Sequence, residues 1–188
     1  MMGRFTSLGI RKNESQIAPV SFQETISVMQ KQRVSFEMTV FDGLAELSEK
    51  DQVLMSKAVE ARKNAYAPYS NFQVGAAVLL ENGQVVIGNN QENACYPSGL
   101  CAERVAIFQA GALYPNVSIK AVAITATSKN YIVDTPAAPC GNCRQAMLEY
   151  ETKQKKPIKI LMMGQTGKVI ECDAIADILP LGFDSSFL

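Results

Sequence analysis

Residues 139–144 read Pro-Cys-Gly-Asn-Cys-Arg, and residues 101–104 read Cys-Ala-Glu-Arg. Both segments lie where a helical pattern begins. Cys140 and Cys143 are one helical turn apart, so their sulfurs can face the same point. Cys101 offers a third sulfur from the start of another helix. Three protein ligands with an open fourth position are typical of a catalytic zinc site rather than a structural one.

The helices predicted from these segments cover residues 101–113 and 141–150. Between them, Ile119–Ala126 is a nearly continuous apolar run, which is typical of a buried central strand. Ile158–Met163 is a second such run after the second helix. Because strand–helix–strand connections within one sheet are right-handed crossovers, we expect these two strands to be parallel.

A hairpin is predicted upstream of the first cysteine. Phe72–Leu80 and Gln84–Gly88 have the composition of strands, and Asn82-Gly83 between them is typical of a type I′ turn. Residues 34–40 place an apolar side chain at every second position, which predicts a half-buried strand.

Two further helices complete the pattern. Ser48 is predicted to cap a helix that ends near Pro68, and Asp173–Leu179 forms the last helix. The sequence therefore predicts an α/β fold, a three-layer α/β/α sandwich with a mixed five-stranded sheet. We expect residues 32–188 to form a single domain and residues 1–31 a flexible N-terminal extension.

Histidine is absent from all 188 residues. Its absence excludes Ser-His-Asp and Cys-His nucleophile systems and every histidine-ligated metal site. Lysine plus arginine equals aspartate plus glutamate at 18 each, and zero net charge predicts neither a nucleic acid polymer nor a membrane as partner. The five cysteines, an odd number, and the lack of a signal-peptide pattern predict a cytoplasmic location.

The predicted metal site needs compensation for its charge. Helix N-termini favour the thiolate form of cysteine, but three thiolates and one zinc ion leave a net negative centre. Arg104 and Arg144 lie close to ligand positions, and either could donate hydrogen bonds to a thiolate. Glu103 lies two residues beyond Cys101 and can move protons to and from water that the metal has acidified.

Five sequence blocks carry a family resemblance: residues 66–77, 90–96, 101–104, 139–145 and 179–183. In these blocks, and over residues 47–188 as a whole, the sequence resembles the homotetrameric cytidine deaminases. The signature of a cysteine ligand, a glutamate two residues on and a Pro-Cys-x-x-Cys segment is shared by zinc deaminases. Without histidine, this chain matches the three-cysteine form of that signature.

The resemblance implies a hydrolase of pyrimidine salvage. It would convert cytidine and deoxycytidine to uridine and deoxyuridine plus ammonia, by a zinc-bound hydroxide with Glu103 as proton shuttle. One Zn²⁺ per subunit would be held by Cys101, Cys140 and Cys143. The resemblance also implies a cytidine deaminase-like fold and a homotetramer with shared active sites.

Further residue roles follow from the same resemblance. Asn90 and Glu92 would hydrogen-bond the 3′-hydroxyl of the ribose, and Phe72 would pack on the pyrimidine face. The backbone N–H of Ala102 would contact the base carbonyl, and Arg104 would neutralise the ligand thiolates. Two aromatic side chains would lie near subunit boundaries: Tyr96 and Phe183.

Three other interpretations remain open at this level. The chain could be a related zinc deaminase acting on another small aminated base or an aminonucleoside antibiotic. It could be a polynucleotide-editing deaminase, or a non-enzymatic zinc module in which Cys95 is the candidate fourth ligand. Cys95 and Cys172 are otherwise interpreted as small core residues. The loop 128–138 is longer than in the family, and the tail has Asp184-Ser185 where the family often has Gly-Pro.

Overall fold

The computed structural model describes residues 29–188, and residues Val34–Leu188 form one compact unit. Nearly all of the predicted N-terminal extension, residues 1–31, lies outside the described residues. In chain order the strands and helices are β1 (Thr39–Phe41), α1 (Glu49–Arg62), β2 (Phe72–Leu80), β3 (Val85–Asn89), α2 (Ala102–Leu113), β4 (Ile119–Ser128), α3 (Gly141–Gln154), β5 (Lys159–Met163), β6 (Val169–Cys172) and α4 (Ile175–Ile178).

The strands form one mixed sheet in the order β1-β6-β5-β4-β2-β3. β4 and β5 are parallel, as the crossover through α3 predicts. All other neighbouring strands are antiparallel. The carboxyl end of β4 leads into the loop before α3, and β3 leads towards α2, so the starts of both helices lie at one end of the sheet.

The sheet is covered by helices on both faces. On one face α2, α3 and α4 bury apolar side chains such as Ile107, Met147 and Ile175 against the sheet. On the other face α1 buries Leu54 and Met55. The predicted three-layer α/β/α sandwich is confirmed, with α1 alone in the second helical layer.

The predicted strand count was wrong, because the sheet has six strands rather than five. The additional strand is β6, whose four residues do not alternate between buried and exposed side chains. The strand predicted over residues 34–40 is also shorter than expected, since only Thr39–Phe41 form β1. β1 pairs on one side only, with β6, and Phe36 and Met38 are exposed.

The end of the first helix and the turn of the hairpin also differ from the prediction. The first helix ends at Arg62 rather than near Pro68. The hairpin of β2 and β3 is confirmed, but its turn is not type I′, which needs positive φ at both central residues. Gly83 has a φ of 85° whereas Asn82 is not among the residues with positive φ.

Gly88 of β3 sets how closely α2 approaches the sheet. A Cβ at this position would lie 2.5 Å from the Ala106 nitrogen and 2.7 Å from the Ala102 oxygen, which is far inside contact distance. The missing side chain therefore lets the first turn of α2 pack directly on β3. Among residues 29–188, none of the helices combines the length and apolar character needed to cross a membrane.

Candidate zinc site and substrate cavity

Two helices begin directly after a cysteine. Cys101 is the N-cap of α2 and Cys140 is the N-cap of α3, and neither side chain makes a capping hydrogen bond. In α1 the same position is held by Ser48, whose side chain accepts from the Asp51 backbone N–H. The two cysteines thus replace the usual capping residues, and their sulfurs are left available at the positive ends of two helices.

Three sulfurs form one compact cluster. The Sγ atoms of Cys101 and Cys140 are 4.0 Å apart, and those of Cys140 and Cys143 are 3.5 Å apart. All three lie within 4.8 Å of one another. Zinc bound tetrahedrally at about 2.3 Å from each sulfur would place two sulfurs roughly 3.8 Å apart. The three side chains therefore fit a zinc ion without rearrangement of the backbone.

Cys95 does not join this cluster. Within residues 29–188, the three cysteines are the only group of metal-ligating side chains that lies this close together. Cys95 is exposed, so its interpretation as a small core residue was wrong, while Cys172 is buried as predicted. A three-sulfur site with an open fourth position fits a catalytic metal and does not fit a closed structural site.

The thiols of Cys101 and Cys143 have pKa values that are shifted in opposite directions. Hydrogen bonding with the Cys143 thiol lowers the pKa of Cys101 to about 5, against an opposing effect of burial and with further help from Arg104 and Cys140. The hydrogen bond with Cys101 and burial raise the pKa of Cys143 well above its usual range. Of these two thiols, Cys101 is therefore the one that ionises first without metal.

Glu103 lies beside this cluster in the first turn of α2 and is only 4% exposed. Burial raises the pKa of the Glu103 carboxyl, and the negative charge on Cys101 adds to the rise, although the residue's own backbone N–H acts in the opposite direction. A carboxyl with a raised pKa can hold a proton and release it near neutral pH. This is the property required of a proton shuttle.

The two arginines near the ligands have different partners. Burial alone would lower the pKa of Arg104, but its interactions with Cys101 and Cys143 outweigh this effect and raise it. Arg144 instead donates from Nε to the Pro139 carbonyl and from Nη1 to the Ile178 carbonyl, both at 2.8 Å. Arg104 thus interacts with the sulfurs, as the resemblance implies, whereas the guanidinium of Arg144 binds two backbone carbonyls.

A cavity of about 410 Å³ opens beside the cluster. Its lining includes Asn90, Glu92, Tyr96, Cys101 and Arg104. The structure therefore brings together five of the residues that the sequence selected, at the sulfur cluster and along the segment after β3.

The remaining predicted contacts lie behind this surface. Ala102 is fully buried, and Phe72 is half-buried and does not line the cavity. The Phe72 carbonyl accepts a hydrogen bond from the Asn90 side chain at 2.9 Å. In the single chain, Phe72 thus contacts the cavity wall rather than the open space.

Asn90 and Glu92 are held in fixed orientations. The Asn90 side-chain oxygen accepts from the Val74 N–H at 2.8 Å, which leaves one lone pair and one N–H for a ligand. One Glu92 oxygen accepts from the backbone N–H groups of Tyr69 and Ser70. The other accepts from the Ser70 hydroxyl.

These hydrogen bonds outweigh the effect of burial and lower the pKa of Glu92, so its carboxylate stays charged. Sequence reasoning missed the part played by Ser70. The residue stands inside the block 66–77 that carried the resemblance, but a single serine in a loop gives no further signal of its role.

Comparison with known proteins supports the same conclusion as the geometry. Residues 48–156, more than half of the chain, match the family described as "Cytidine and deoxycytidylate deaminase zinc-binding region". The chain belongs to this family. The matched range contains all three clustered cysteines together with Glu103, Asn90 and Glu92, and the sulfur cluster suits the zinc-binding region that the family description names.

Similar proteins include a cytidine deaminase from Halalkalibacterium halodurans. It is 39% identical over 132 residues, which cover 70% of this chain and 92% of that protein. A crystal structure of cytidine deaminase from Burkholderia pseudomallei superposes with a TM-score of 0.61 at 36% identity, covering 73% of this chain and all of the other. A cytidine deaminase structure from Mycobacterium tuberculosis gives a TM-score of 0.55 at 29% identity, covering 72% and 98%.

The first strand of the sheet lies outside the range that matches the family. The family match begins at residue 48, after β1 in the chain. β1 therefore lies outside the matched range, and it pairs with β6 at one edge of the sheet. The sulfur cluster lies within the matched range.

Proposed function

We propose that this deaminase hydrolyses cytidine and deoxycytidine to uridine and deoxyuridine plus ammonia. The observation that carries the proposal is the buried Glu103 carboxyl beside a three-sulfur cluster, next to a cavity lined by Asn90 and Glu92. The Glu103 carboxyl and the sulfur cluster suit hydrolysis at a carbon that bears an amino group. Asn90 and Glu92 suit the binding of a sugar.

Zinc held by Cys101, Cys140 and Cys143 would supply the Lewis acidity that makes water a nucleophile at neutral pH. Glu103 takes a proton from the attacking water as its oxygen bonds to C4 of the pyrimidine. The carboxyl then gives that proton to N3. In the second half of the reaction Glu103 takes the remaining proton from the hydroxyl now on C4 and transfers it to the amino group, so that the C4–N bond breaks, the C4 carbonyl forms and ammonia leaves.

The remaining residues bind and orient. Arg104 offsets the negative charge of the thiolates. The charged Glu92 accepts a hydrogen bond from the 3′-hydroxyl and the Asn90 side chain donates one to it, remote from the reacting carbon, and both contacts so hold C4 in register with the water. Ala102 offers its backbone N–H to the base carbonyl, Tyr96 supplies aromatic contact at the cavity rim, and Phe72 supports Asn90 in the cavity wall.

Ammonia release tests this function. The zinc-loaded protein should release ammonia from cytidine and deoxycytidine, and a chelator that removes the zinc should abolish the release. Free cytosine should be a much poorer substrate, because it cannot use the contacts of Asn90 and Glu92. Equal rates on cytosine and cytidine would contradict the assigned sugar contacts, and full activity after zinc removal would contradict the reaction.

We also infer that the enzyme is a homotetramer with shared active sites. The resemblance to the homotetrameric deaminases supports this state, as does the exposure of apolar side chains that would lie at subunit boundaries. Tyr96 is 75% exposed and Phe183 is 56% exposed in the single chain. Sedimentation equilibrium should give four times the chain mass of 20.5 kDa, and a monomeric active enzyme would refute the shared site.

Two assignments concern the whole chain. Residues 32–188 are proposed as the complete catalytic domain, so a protein lacking residues 1–31 should retain zinc and activity. A cytoplasmic location is proposed because the three clustered thiols must stay reduced to bind metal. Cell fractionation of the tagged protein tests the location.

A further inference from the structure

The C-terminal segment is attached to α3 along the length of that helix. Arg144 in the first turn of α3 donates to the Ile178 carbonyl at the end of α4. Gln145 donates to the Phe183 carbonyl at 2.7 Å and accepts from the Phe183 N–H at 3.3 Å. Glu151, near the other end of α3, contacts the start of α4. α3 also carries Cys143, so the same helix holds a zinc ligand and the C-terminal segment.

Glu151 anchors the start of α4. Its side chain is only 8% exposed. One carboxylate oxygen accepts from the Ile158 and Ile175 N–H groups at 2.7 and 2.8 Å, and the other accepts from the Ala176 N–H at 3.0 Å. A carboxylate at the first N–H groups of a helix satisfies donors that have no partner within the helix. With Arg144 at its end, α4 is held to α3 at both termini.

Arg144 joins this segment to the loop that carries Cys140. Its Nε donates to the carbonyl of Pro139, the residue before the ligand, while Nη1 of the same guanidinium donates to Ile178. In the described chain, the peptide groups of residues 134–139 make this one hydrogen bond and no other. Cys140 is itself exposed and makes no capping hydrogen bond.

We propose that Arg144 is a positioning residue for the metal: it holds Cys140 in place by tying the Pro139 carbonyl to the end of α4, which Glu151 fixes from the other side. The planar guanidinium suits this task because it presents two donors in a rigid fork. Lysine, with a single flexible ammonium group, can reach one carbonyl but cannot orient both. Zinc binding is thereby coupled to α4, although α4 contributes no ligand.

Zinc release to a chromophoric chelator measures this coupling directly. Arg144→Gln should release zinc about 10-fold faster or more than the parent, as is usual when a side chain that orients a ligand is lost. Arg144→Lys should restore part of the difference. Gln145→Ala is the matched control, because it removes the contact with Phe183 and leaves the Pro139 carbonyl untouched, so its zinc should leave at the parent rate.

Steady-state kinetics give a second readout. Arg144→Gln, loaded with zinc, should lose kcat for cytidine with little change in KM, because Arg144 does not line the cavity. This readout rests on the proposed function, whereas zinc release does not, so the two failures are distinguishable. A folded Arg144→Gln protein that releases zinc at the parent rate would overturn the proposal.

Glu151→Gln keeps the proposal testable if Arg144→Gln does not fold. The substitution weakens the anchor of α4 without touching the loop or the sulfurs. It should speed zinc release by a smaller factor than Arg144→Gln, and parent-like release would show that α4 takes no part in holding Cys140.

Discussion

The start of α2 and the start of α3 have similar sequences and different uses. Each begins after a cysteine that takes the place of a capping residue, and each carries an arginine in its first turn. In α2 the acid Glu103 is buried next to the sulfurs and Arg104 interacts with them. In α3 the matching acid is absent, and Arg144 binds two backbone carbonyls.

The proposed residues for proton transfer and charge compensation thus lie at the start of α2, and the proposed residues that fix the ligand positions lie at the start of α3. In the proposed site, the first turn of α2 would supply the proton carrier and the charge that offsets the thiolates. The start of α3 would supply two ligands and, through Arg144, the contacts that we propose fix their position. An arginine beside a metal ligand can therefore act on the charge of the sulfur or on the placement of the backbone, and its hydrogen-bond partners decide which.

The largest expected effect is loss of the metal from either helix start. Cys140→Ala removes one of three sulfurs, so the protein should purify without stoichiometric zinc and should release no ammonia from cytidine. Elemental analysis of the purified protein measures this. Cys95→Ala is the control, because Cys95 lies outside the cluster, and it should keep a full complement of zinc. Stoichiometric zinc in Cys140→Ala would disprove the ligand set.

The next effect tests whether only α2 carries the proton shuttle. Glu103→Gln should keep zinc and fold but lower kcat roughly a thousandfold, within the range typical of a general acid–base group. Asn142 occupies the same position after Cys140 and is exposed, so Asn142→Ala should leave kcat unchanged. If Glu103→Gln were fully active, the shuttle would have to be another residue.

The two arginines should also differ in their effect on charge. Arg104→Gln should lower zinc affinity or activity by about 10- to 100-fold, and it should raise the pKa of the Cys101 thiol in the metal-free protein. The pKa of Cys101 in the folded protein, about 5, lies below the ordinary thiol pKa of 9.0. Its thiolate therefore stabilises the fold fully at pH values above 9.0, and this stabilisation is lost as the pH falls through about 5.

Thermal unfolding of the metal-free protein between these pH values should therefore show falling stability towards acid pH. The dependence should be weaker in Arg104→Gln and unchanged in Arg144→Gln, since Arg144 does not interact with Cys101. Thiolate ultraviolet absorbance gives the Cys101 titration independently. If the pH dependence of stability changed equally in Arg104→Gln and Arg144→Gln, the two arginines would not differ in their effect on the Cys101 thiolate.

Much of the fold and of the sulfur cluster can be predicted from the sequence because these features depend on local patterns. The spacing of Cys140 and Cys143 and the apolar run of β4 are properties of neighbouring residues, and both predictions were confirmed. The central strands are long and buried on both faces, so their composition is distinctive. Strand β6 has only four residues and was missed, because its register depends on pairing with β5 and β1 rather than on its own pattern.

The role of Arg144 needed the fold. Arg104 and Arg144 are alike in the local pattern, since each lies close to a ligand, and the family resemblance implies a role only for Arg104. The acceptor that decides the role of Arg144 is the Ile178 carbonyl, 34 residues away in the chain. In the same way, the Ser70 hydroxyl meets Glu92 across 22 residues. Tertiary packing determines such long-range contacts, and the local sequence pattern cannot predict them.

The smallest effect concerns the cost of placing cysteine at a helix N-cap. Serine at this position accepts a hydrogen bond from a free N–H of the first turn, as Ser48 does in α1. Cys140→Ser should therefore stabilise the metal-free protein by about 0.5–1 kcal/mol. The exposed position means that the new hydroxyl loses no contact with water.

Cys101→Ser provides the comparison at the other helix. The same capping gain is expected there, but near neutral pH the substitution also removes the stabilising thiolate with the lowered pKa. Cys140→Ser should thus be the more stable variant in urea unfolding at pH 7. Their difference should shrink as the pH approaches 5, where the Cys101 thiolate is protonated. A difference independent of pH would mean that the charge on Cys101 does not stabilise the start of α2.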